Sequence, residues 1–158
     1  MRSLFAWLGL CPRATALEIG APLPDVAGIN RDGLPGAASG YTLVYFYPKA
    51  DTPGCTAQSC SLRDGYEALR EKGVRVLGVS TDTPLAQARF RQKYRLPFEL
   101  IADPEGKVIE AFGVSRFPLV GFASRQAYLF KDGVLIWRDL NASTKTQAAD
   151  VLKVLAED

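Results

Sequence analysis

Two largely apolar runs constrain the fold of this chain more than any other feature. Residues 41–47 read YTLVYFY, in which aromatic and β-branched side chains are frequent, and residues 74–80 read VRVLGVS, which contains three valines. A strand with one solvated face alternates apolar and polar residues, whereas a run of this kind is typical of a strand buried on both faces. A helical pattern over residues 53–72 separates the two runs. We therefore expect two parallel strands joined by a right-handed helical crossover.

The rest of the chain continues the alternation of helices and strands. After Gly73, the predicted elements are a strand at 74–80, a helix at 83–95, a strand at 98–103, a short helix at 105–113, a hairpin at 126–139 and an amphipathic helix at 143–158. The last helix would turn Val151, Leu152 and Leu155 inward. This order predicts an α/β fold, with a central mixed sheet flanked by helices in three layers.

Residues 1–16 are interpreted as a short extension before a single domain at residues 17–158. Arg2, a short apolar run and an A-x-A sequence ending at Ala16 resemble a secretory signal, but the run is near the lower length limit for one. We expect a cytoplasmic protein, with export or membrane tethering through residues 1–16 as the alternative. No apolar run is long enough to span a bilayer. The net charge of +2 is small and scattered, which predicts no nucleic-acid partner.

The histidine and cysteine counts exclude several kinds of active site. The chain has no histidine, which removes Ser-His-Asp and Cys-His hydrolase arrangements and His-ligated zinc or haem. Three cysteines are too few for a four-cysteine zinc site or a dense disulfide framework. No two of them form a C-x-x-C motif. Any thiol chemistry must therefore run without an imidazole base.

Two of the three cysteines lie in residues 45–64, YFYPKADTPGCTAQSCSLRD. Thr52 suits a helix N-cap and Pro53 suits the first helical position, which makes Cys55 the third residue of the helix. Free backbone N–H groups and the helix dipole favour negative charge at that position, and therefore the reactive thiolate form. A well-capped helix after a strand would give the same local pattern without any chemistry.

Helix geometry separates the two thiols of this segment. The apolar stripe that includes Leu62 and Leu69 should face the core, and Cys55 lies within about 20° of it, whereas Cys60 is about 140° from Cys55. On an intact helix their Cα atoms would be about 8.6 Å apart, beyond the roughly 7 Å that a disulfide allows. A bond between them therefore requires local unwinding. Cys60 could also be a small buried thiol without a role, which is the preferred interpretation of Cys11.

The same segment resembles the active site of the peroxiredoxins. It carries P-x-x-x-T-x-x-C at Pro48, Thr52 and Cys55, and the second cysteine five residues later is similar to the peroxiredoxin Q subfamily, also called bacterioferritin comigratory protein. The resemblance extends from GAPLPDV, near residue 20, through LGVSTD and LIADPEG to the closing helix. It implies a thioredoxin-like fold and a thiol-dependent peroxidase that uses no metal and no bound cofactor.

This resemblance implies a role for each matched residue. Cys55 would be the peroxidatic cysteine, which becomes a sulfenic acid, and Cys60 would be the resolving cysteine, which joins it in an intramolecular disulfide. Thr52 would hold the peroxide through its hydroxyl, and Pro48 would shield the thiolate from water. Arg125 matches the family arginine at the start of a late strand. A fixed guanidinium there keeps the thiolate ionised and stabilises charge that moves onto the peroxide oxygens.

Two functions fit these residues. The first is a peroxidase for hydrogen peroxide and organic hydroperoxides, reduced again by thioredoxin or a similar thiol donor, and the resemblance favours a monomer. The second is a non-enzymatic redox switch that uses the same cysteine pair. A switch needs only reactive thiols, whereas a peroxidase must activate the O–O bond, so Pro48, Thr52 and Arg125 favour the peroxidase. One departure is Gln126, where the family usually has a small hydroxyl residue.

Overall fold

The structure, a computed structural model, describes residues 15–26 and 40–158. Apart from residues 15 and 16, the predicted extension lies outside the described residues, and so does Cys11. The helices and strands are, in chain order, β1 (Tyr41–Phe46), α1 (Pro53–Asp64), α2 (Tyr66–Glu71), β2 (Val74–Ser80), α3 (Pro84–Lys93), β3 (Glu99–Ala102), α4 (Lys107–Phe112), β4 (Gln126–Lys131), β5 (Val134–Asp139) and α5 (Gln147–Glu157). No helix in the described part of the chain is long and apolar enough to cross a membrane.

The five strands form one sheet in the order β3-β2-β1-β4-β5. β1 pairs parallel with β2, and β2 pairs parallel with β3. β4 pairs antiparallel with both β1 and β5. The helical crossovers account for the parallel part, and the tight β4–β5 hairpin accounts for the antiparallel part. The predicted central mixed sheet is confirmed.

Helices cover both faces of this sheet. On one face, Leu43 and Tyr45 of β1 pack with apolar side chains of α1, α2 and α5. On the other face, Val44 and Phe46 pack with apolar side chains of α4. All four side chains are 0% exposed, so the apolar run of β1 is buried on both faces as predicted. The three-layer arrangement is confirmed with it.

The helix predicted over residues 53–72 is two helices, and the single-helix prediction is wrong. α1 ends at Asp64 and α2 begins at Tyr66, with Gly65 between them at φ −92° and ψ 1°. A Cβ atom at residue 65 would lie 2.6 Å from Cβ of Ala148 in α5. Glycine therefore lets α5 approach this bend closely, and its low helix propensity makes the bend inexpensive. The break depends on a tertiary contact, which the local pattern does not contain.

The later elements agree with their predictions except at the start of α5, which begins at Gln147 and not at residue 143. The Ser143 hydroxyl instead accepts hydrogen bonds from the Lys145 and Thr146 N–H groups in a turn before the helix. α2 is followed by Gly73, whose φ of 75° is the left-handed conformation common after a helix. The hairpin turns at Asp132 and Gly133, which both have positive φ, as a two-residue turn of this kind requires. The three residues of α5 predicted to face inward lie in the core or pack against it.

Pairing of β1 with β4 brings distant parts of the chain together. Phe46, the last residue of β1, lies opposite Gln126, the first residue of β4. The segment that leads from β1 into α1 and the segment that precedes β4 therefore meet where these two central strands end and begin. Cys55, in the first turn of α1, directly follows the first of these segments, and Arg125 is in the second.

Gly78 in β2 makes room for a tyrosine ring, which gives a prediction for stability. A Cβ atom at residue 78 would lie 2.7 Å from Cζ and Oη of the buried Tyr45 and 2.7 Å from Cδ2 of Leu100. We expect Gly78→Ala to lower the free energy of unfolding by about 1–3 kcal/mol, because the packed ring must shift. Urea denaturation measures this change. In a Tyr45→Leu background the penalty should shrink, and an unchanged penalty would mean that the ring is not the obstacle.

Candidate active site

The first turn of α1 carries Cys55, which is 1% exposed. Thr52 precedes α1 in an extended conformation, its carbonyl accepts a hydrogen bond from the Thr56 N–H at 2.8 Å, and Pro53 begins the helix. The Thr52 side chain differs from the expected cap, because its hydroxyl donates to the Lys49 carbonyl at 2.7 Å and makes no capping bond. The Thr52 side chain therefore leaves the backbone N–H groups of the first turn available, and such groups favour negative charge at Cys55.

Arg125 lies against the sulfur of Cys55. Its Nη1 and Nη2 are both 3.7 Å from Cys55 Sγ, so the fork of the guanidinium faces the thiol. A Cβ atom at residue 54 would lie 3.0 Å from Nη2, and Gly54 therefore allows this approach. Since a guanidinium keeps its charge in proteins, the arrangement stabilises negative charge on the sulfur and on an oxygen bonded to it.

Two buried glutamines, which the sequence analysis missed, hold this arginine. Arg125 Nη1 donates to Gln58 Oε1 at 2.6 Å, and Gln58 Nε2 donates to Gln147 Oε1 at 2.6 Å. Gln58 is three residues after Cys55, so helical spacing alone would have put it on the same face of α1. Gln147 is the first residue of α5, and no local pattern connects it with the site.

Cys60 lies in the last half of α1 and is partly buried. Cys55 and Cys60 are both free thiols on one continuous helix, as the predicted geometry of an intact helix requires. Next to Cys60, Ser59 forms a 3.0 Å hydrogen bond with the Tyr45 hydroxyl. Burial raises the pKa of Tyr45 well above its usual value, and the hydrogen bond with Ser59 lowers it only in part. The phenol therefore stays neutral and tethers α1 to the sheet without adding charge.

Pro48 and Arg125 line a surface cavity of about 630 Å³. The other residues around it are Ser115, Phe117, Ser124, Leu140, Asn141, Ala142, Ser143 and Thr144. Phe117 and Leu140 are about half exposed, at 47% and 45%, so the cavity combines hydroxyl groups with an apolar side. A small polar molecule and one with an apolar tail could both reach the guanidinium.

Gln126, the departure from the expected pattern, points away from the thiol. Its Oε1 accepts from the Tyr128 hydroxyl at 2.6 Å, and its Nε2 donates to Ser115 Oγ at 3.3 Å. Ser115 in turn contacts Ser124 Oγ at 2.8 Å. The glutamine thus braces the loop before Arg125.

In residues 15–26 and 40–158, no three side chains of Cys, Asp or Glu are grouped closely enough to hold a metal ion.

Comparison with known proteins identifies the family. The profile of the AhpC/TSA family matches residues 19–138. The chain belongs to the AhpC/TSA family. This AhpC/TSA protein is 56% identical over 72 residues to Peroxiredoxin Bcp of Escherichia coli (strain K12), which covers 46% of each chain. It is 43% identical over 94 residues to chloroplastic Peroxiredoxin Q of Populus jackii, covering 59% of this chain and 44% of that one. The matches thus span about half the length of these curated relatives.

Solved structures resemble this AhpC/TSA protein over more of its length. Peroxidoxin BcpB from Mycobacterium tuberculosis covers 89% of this chain and 97% of its own at a TM-score of 0.77 and 27% identity. The bacterioferritin comigratory protein of Xanthomonas campestris, whose structures concern alkyl peroxide reduction activity, matches 77% of this chain and 82% of its own with a TM-score of 0.70 and 25% identity. These likenesses confirm the predicted thioredoxin-like fold and the resemblance to the peroxiredoxin Q group.

Proposed function

We propose that this protein is a thiol-dependent peroxidase with Cys55 as the peroxidatic cysteine. The observation that carries the proposal is the guanidinium of Arg125, with two nitrogens 3.7 Å from Cys55 Sγ at the start of a helix. Family membership and relatives named as peroxiredoxins support the same activity. A switch needs only reactive thiols, whereas a peroxidase must also activate the O–O bond, and a fixed guanidinium beside the sulfur suits that task.

In the first step the thiolate of Cys55 attacks one oxygen of the peroxide. The S–O bond forms as the O–O bond breaks, so that sulfur is oxidised to sulfenic acid and the other oxygen leaves as water or an alcohol after taking a proton. Negative charge moves onto the departing oxygen, and Arg125 would stabilise it there. The Thr52 hydroxyl, which donates to the Lys49 carbonyl, would hold the peroxide by accepting a hydrogen bond from it. Pro48, which lines the cavity at Arg125, would limit access of water to the sulfur.

In the second step the thiol of Cys60 attacks the sulfenic sulfur of Cys55. The disulfide forms and water leaves, which consumes no further oxidant. Since both residues belong to one continuous helix, α1 must unwind locally first. A dithiol donor of the thioredoxin type would then return the disulfide to two thiols and become a disulfide itself. The unwound segment would give this donor access to the bridge.

The size and lining of the cavity at Arg125 bear on which peroxides the enzyme would reduce. Its volume of about 630 Å³ and the half-exposed Phe117 and Leu140 support organic hydroperoxides as well as hydrogen peroxide as substrates. A monomeric assembly remains a prediction that rests on the family resemblance, and size-exclusion chromatography with light scattering tests it. The cytoplasmic location remains a prediction, and comparing fractionated cells that express the full chain with a variant lacking residues 1–16 tests it.

One equivalent of hydrogen peroxide added to the fully reduced protein tests the proposed cycle. We expect two thiols to disappear within seconds, a Cys55–Cys60 bridge in the peptide mass map, and sustained turnover with dithiothreitol. A bridge to Cys11, or oxidation of Cys55 alone, would take the resolving role away from Cys60. Bridge formation without turnover would support the redox switch, and no rapid loss of thiols would contradict both functions.

A further inference from the structure

A buried chain of side-chain amides runs from Arg125 to the beginning of α5. Arg125 donates to Gln58, and Gln58 donates to Gln147, at 2.6 Å in each case. Gln58 and Gln147 are 0% and 1% exposed. The arginine sets the direction of the chain, because a guanidinium can only donate hydrogen bonds. Gln58 must turn its oxygen to Arg125 and its NH₂ group to Gln147, which must then present its own oxygen.

This orientation leaves the side-chain nitrogen of Gln147 buried and unpaired. Its Nε2 has no hydrogen-bond partner, and it is the only buried side-chain nitrogen or oxygen in that condition among residues 15–26 and 40–158. An unpaired buried donor destabilises a folded protein, and an apolar side chain at this position would avoid the penalty. The amide of Gln147 therefore calls for an explanation, and its oxygen, which holds Gln58, supplies one.

We propose that Gln147 is a positioning residue for the peroxide step, acting through Gln58 on Arg125. The proposal rests on the peroxidase function argued above. The terminal torsion of a glutamine has broad, shallow minima, so the Gln58 amide needs a second anchor to stay fixed. Without the Gln147 oxygen, Gln58 can rotate, and the guanidinium loses its fixed orientation on Cys55 Sγ.

The same contact opposes the disulfide step. Gln58 lies between the two cysteines on α1, so unwinding of this segment must break its bond to Gln147. A second tether joins the same two parts of the chain, since Ser61 Oγ donates to the Lys145 carbonyl at 2.8 Å. Gln147 should therefore promote oxidation of the thiol and delay closure of the disulfide. The Ser61 tether should affect only the closure.

Gln147→Met tests this inference, because methionine is similar in length and has no strong hydrogen-bonding atom. We expect hydrogen peroxide to form the Cys55 sulfenic acid about tenfold more slowly, and the disulfide to close about threefold faster. The first rate is measured in a Cys60→Ser background by rapid quenching and trapping with a 1,3-dione. The second is measured with both cysteines present, by acid quenching and mass spectrometry. Gln147→Leu serves as a second apolar variant if the methionine variant does not fold.

Two further variants separate positioning from simple destabilisation. Gln147→Glu keeps an oxygen acceptor for Gln58 and should restore the wild-type rate of sulfenic acid formation. Ser61→Ala removes the other tether and should speed disulfide closure while leaving the peroxide step within about twofold. If the apolar variants slow both steps together, or change neither, Gln147 does not position Arg125. If the wild-type protein itself forms no sulfenic acid, the proposed peroxidase function is what fails.

Discussion

Cys55→Ser is expected to abolish peroxide reduction, lowering the second-order rate of peroxide consumption by at least ~10³-fold. A serine hydroxyl is not ionised near neutral pH and is a weak nucleophile without an adjacent base. The chain contains no histidine to act as that base. Cys55 is 1% exposed, and an isosteric serine should leave the packing of α1 nearly unchanged. Loss of activity with an unchanged melting temperature would therefore report on the nucleophile and not on folding.

Cys60→Ser is the matched control, because it removes a thiol from the same helix. We expect this variant to consume about one equivalent of peroxide rapidly and then stop unless an external thiol attacks the sulfenic acid. Mass spectrometry after trapping with a 1,3-dione should find the label on Cys55 alone. If Cys60→Ser loses the first turnover and Cys55→Ser keeps it, the two roles are exchanged.

The sequence determined the fold well because its main signals are local or periodic. The apolar runs at residues 41–47 and 74–80 became the central parallel strands, and the turn at Gly133 became the hairpin. The bend at Gly65 was missed, since it depends on how closely Ala148 approaches. Helical periodicity indicates which face of a helix is apolar. It does not indicate that a helix far along the chain, here α5, packs against one of its residues.

The candidate site was likewise predictable where a local motif indicates it and not where it depends on contacts between distant parts of the chain. The motif and the family resemblance led to Cys55 and Arg125, and the structure brings these two side chains together. The catalytic roles of the matched residues are predictions that the cysteine and arginine variants test. Gln147 gave no signal, because it is 89 positions from Gln58 in the chain and a single glutamine at a helix start is common. The Thr52 hydroxyl could equally have capped α1, and only the loop conformation decides that it meets a carbonyl.

Arg125→Met is expected to lower the rate of Cys55 sulfenic acid formation by about 10²–10³-fold. The substitution removes the charge and both donors that lie 3.7 Å from Sγ, and the departing oxygen of the peroxide loses its stabilising cation. Arg125→Lys should recover only part of the rate. A single ammonium cannot present two nitrogens to the sulfur while it also donates to Gln58.

A nearby lysine separates the fixed guanidinium from general positive charge. The Lys49 ammonium lies 5.8 Å from the centre of the Phe122 ring, and Lys49→Met removes it while leaving the backbone carbonyl that meets Thr52. This variant should change the rate of sulfenic acid formation by no more than about twofold, because exposed charges are screened by solvent. If Lys49→Met were as slow as Arg125→Met, the net charge around the site would explain the rate. If both variants were fast, Cys55 would react without the arginine, and the proposed role of Arg125 in the peroxide step would be wrong.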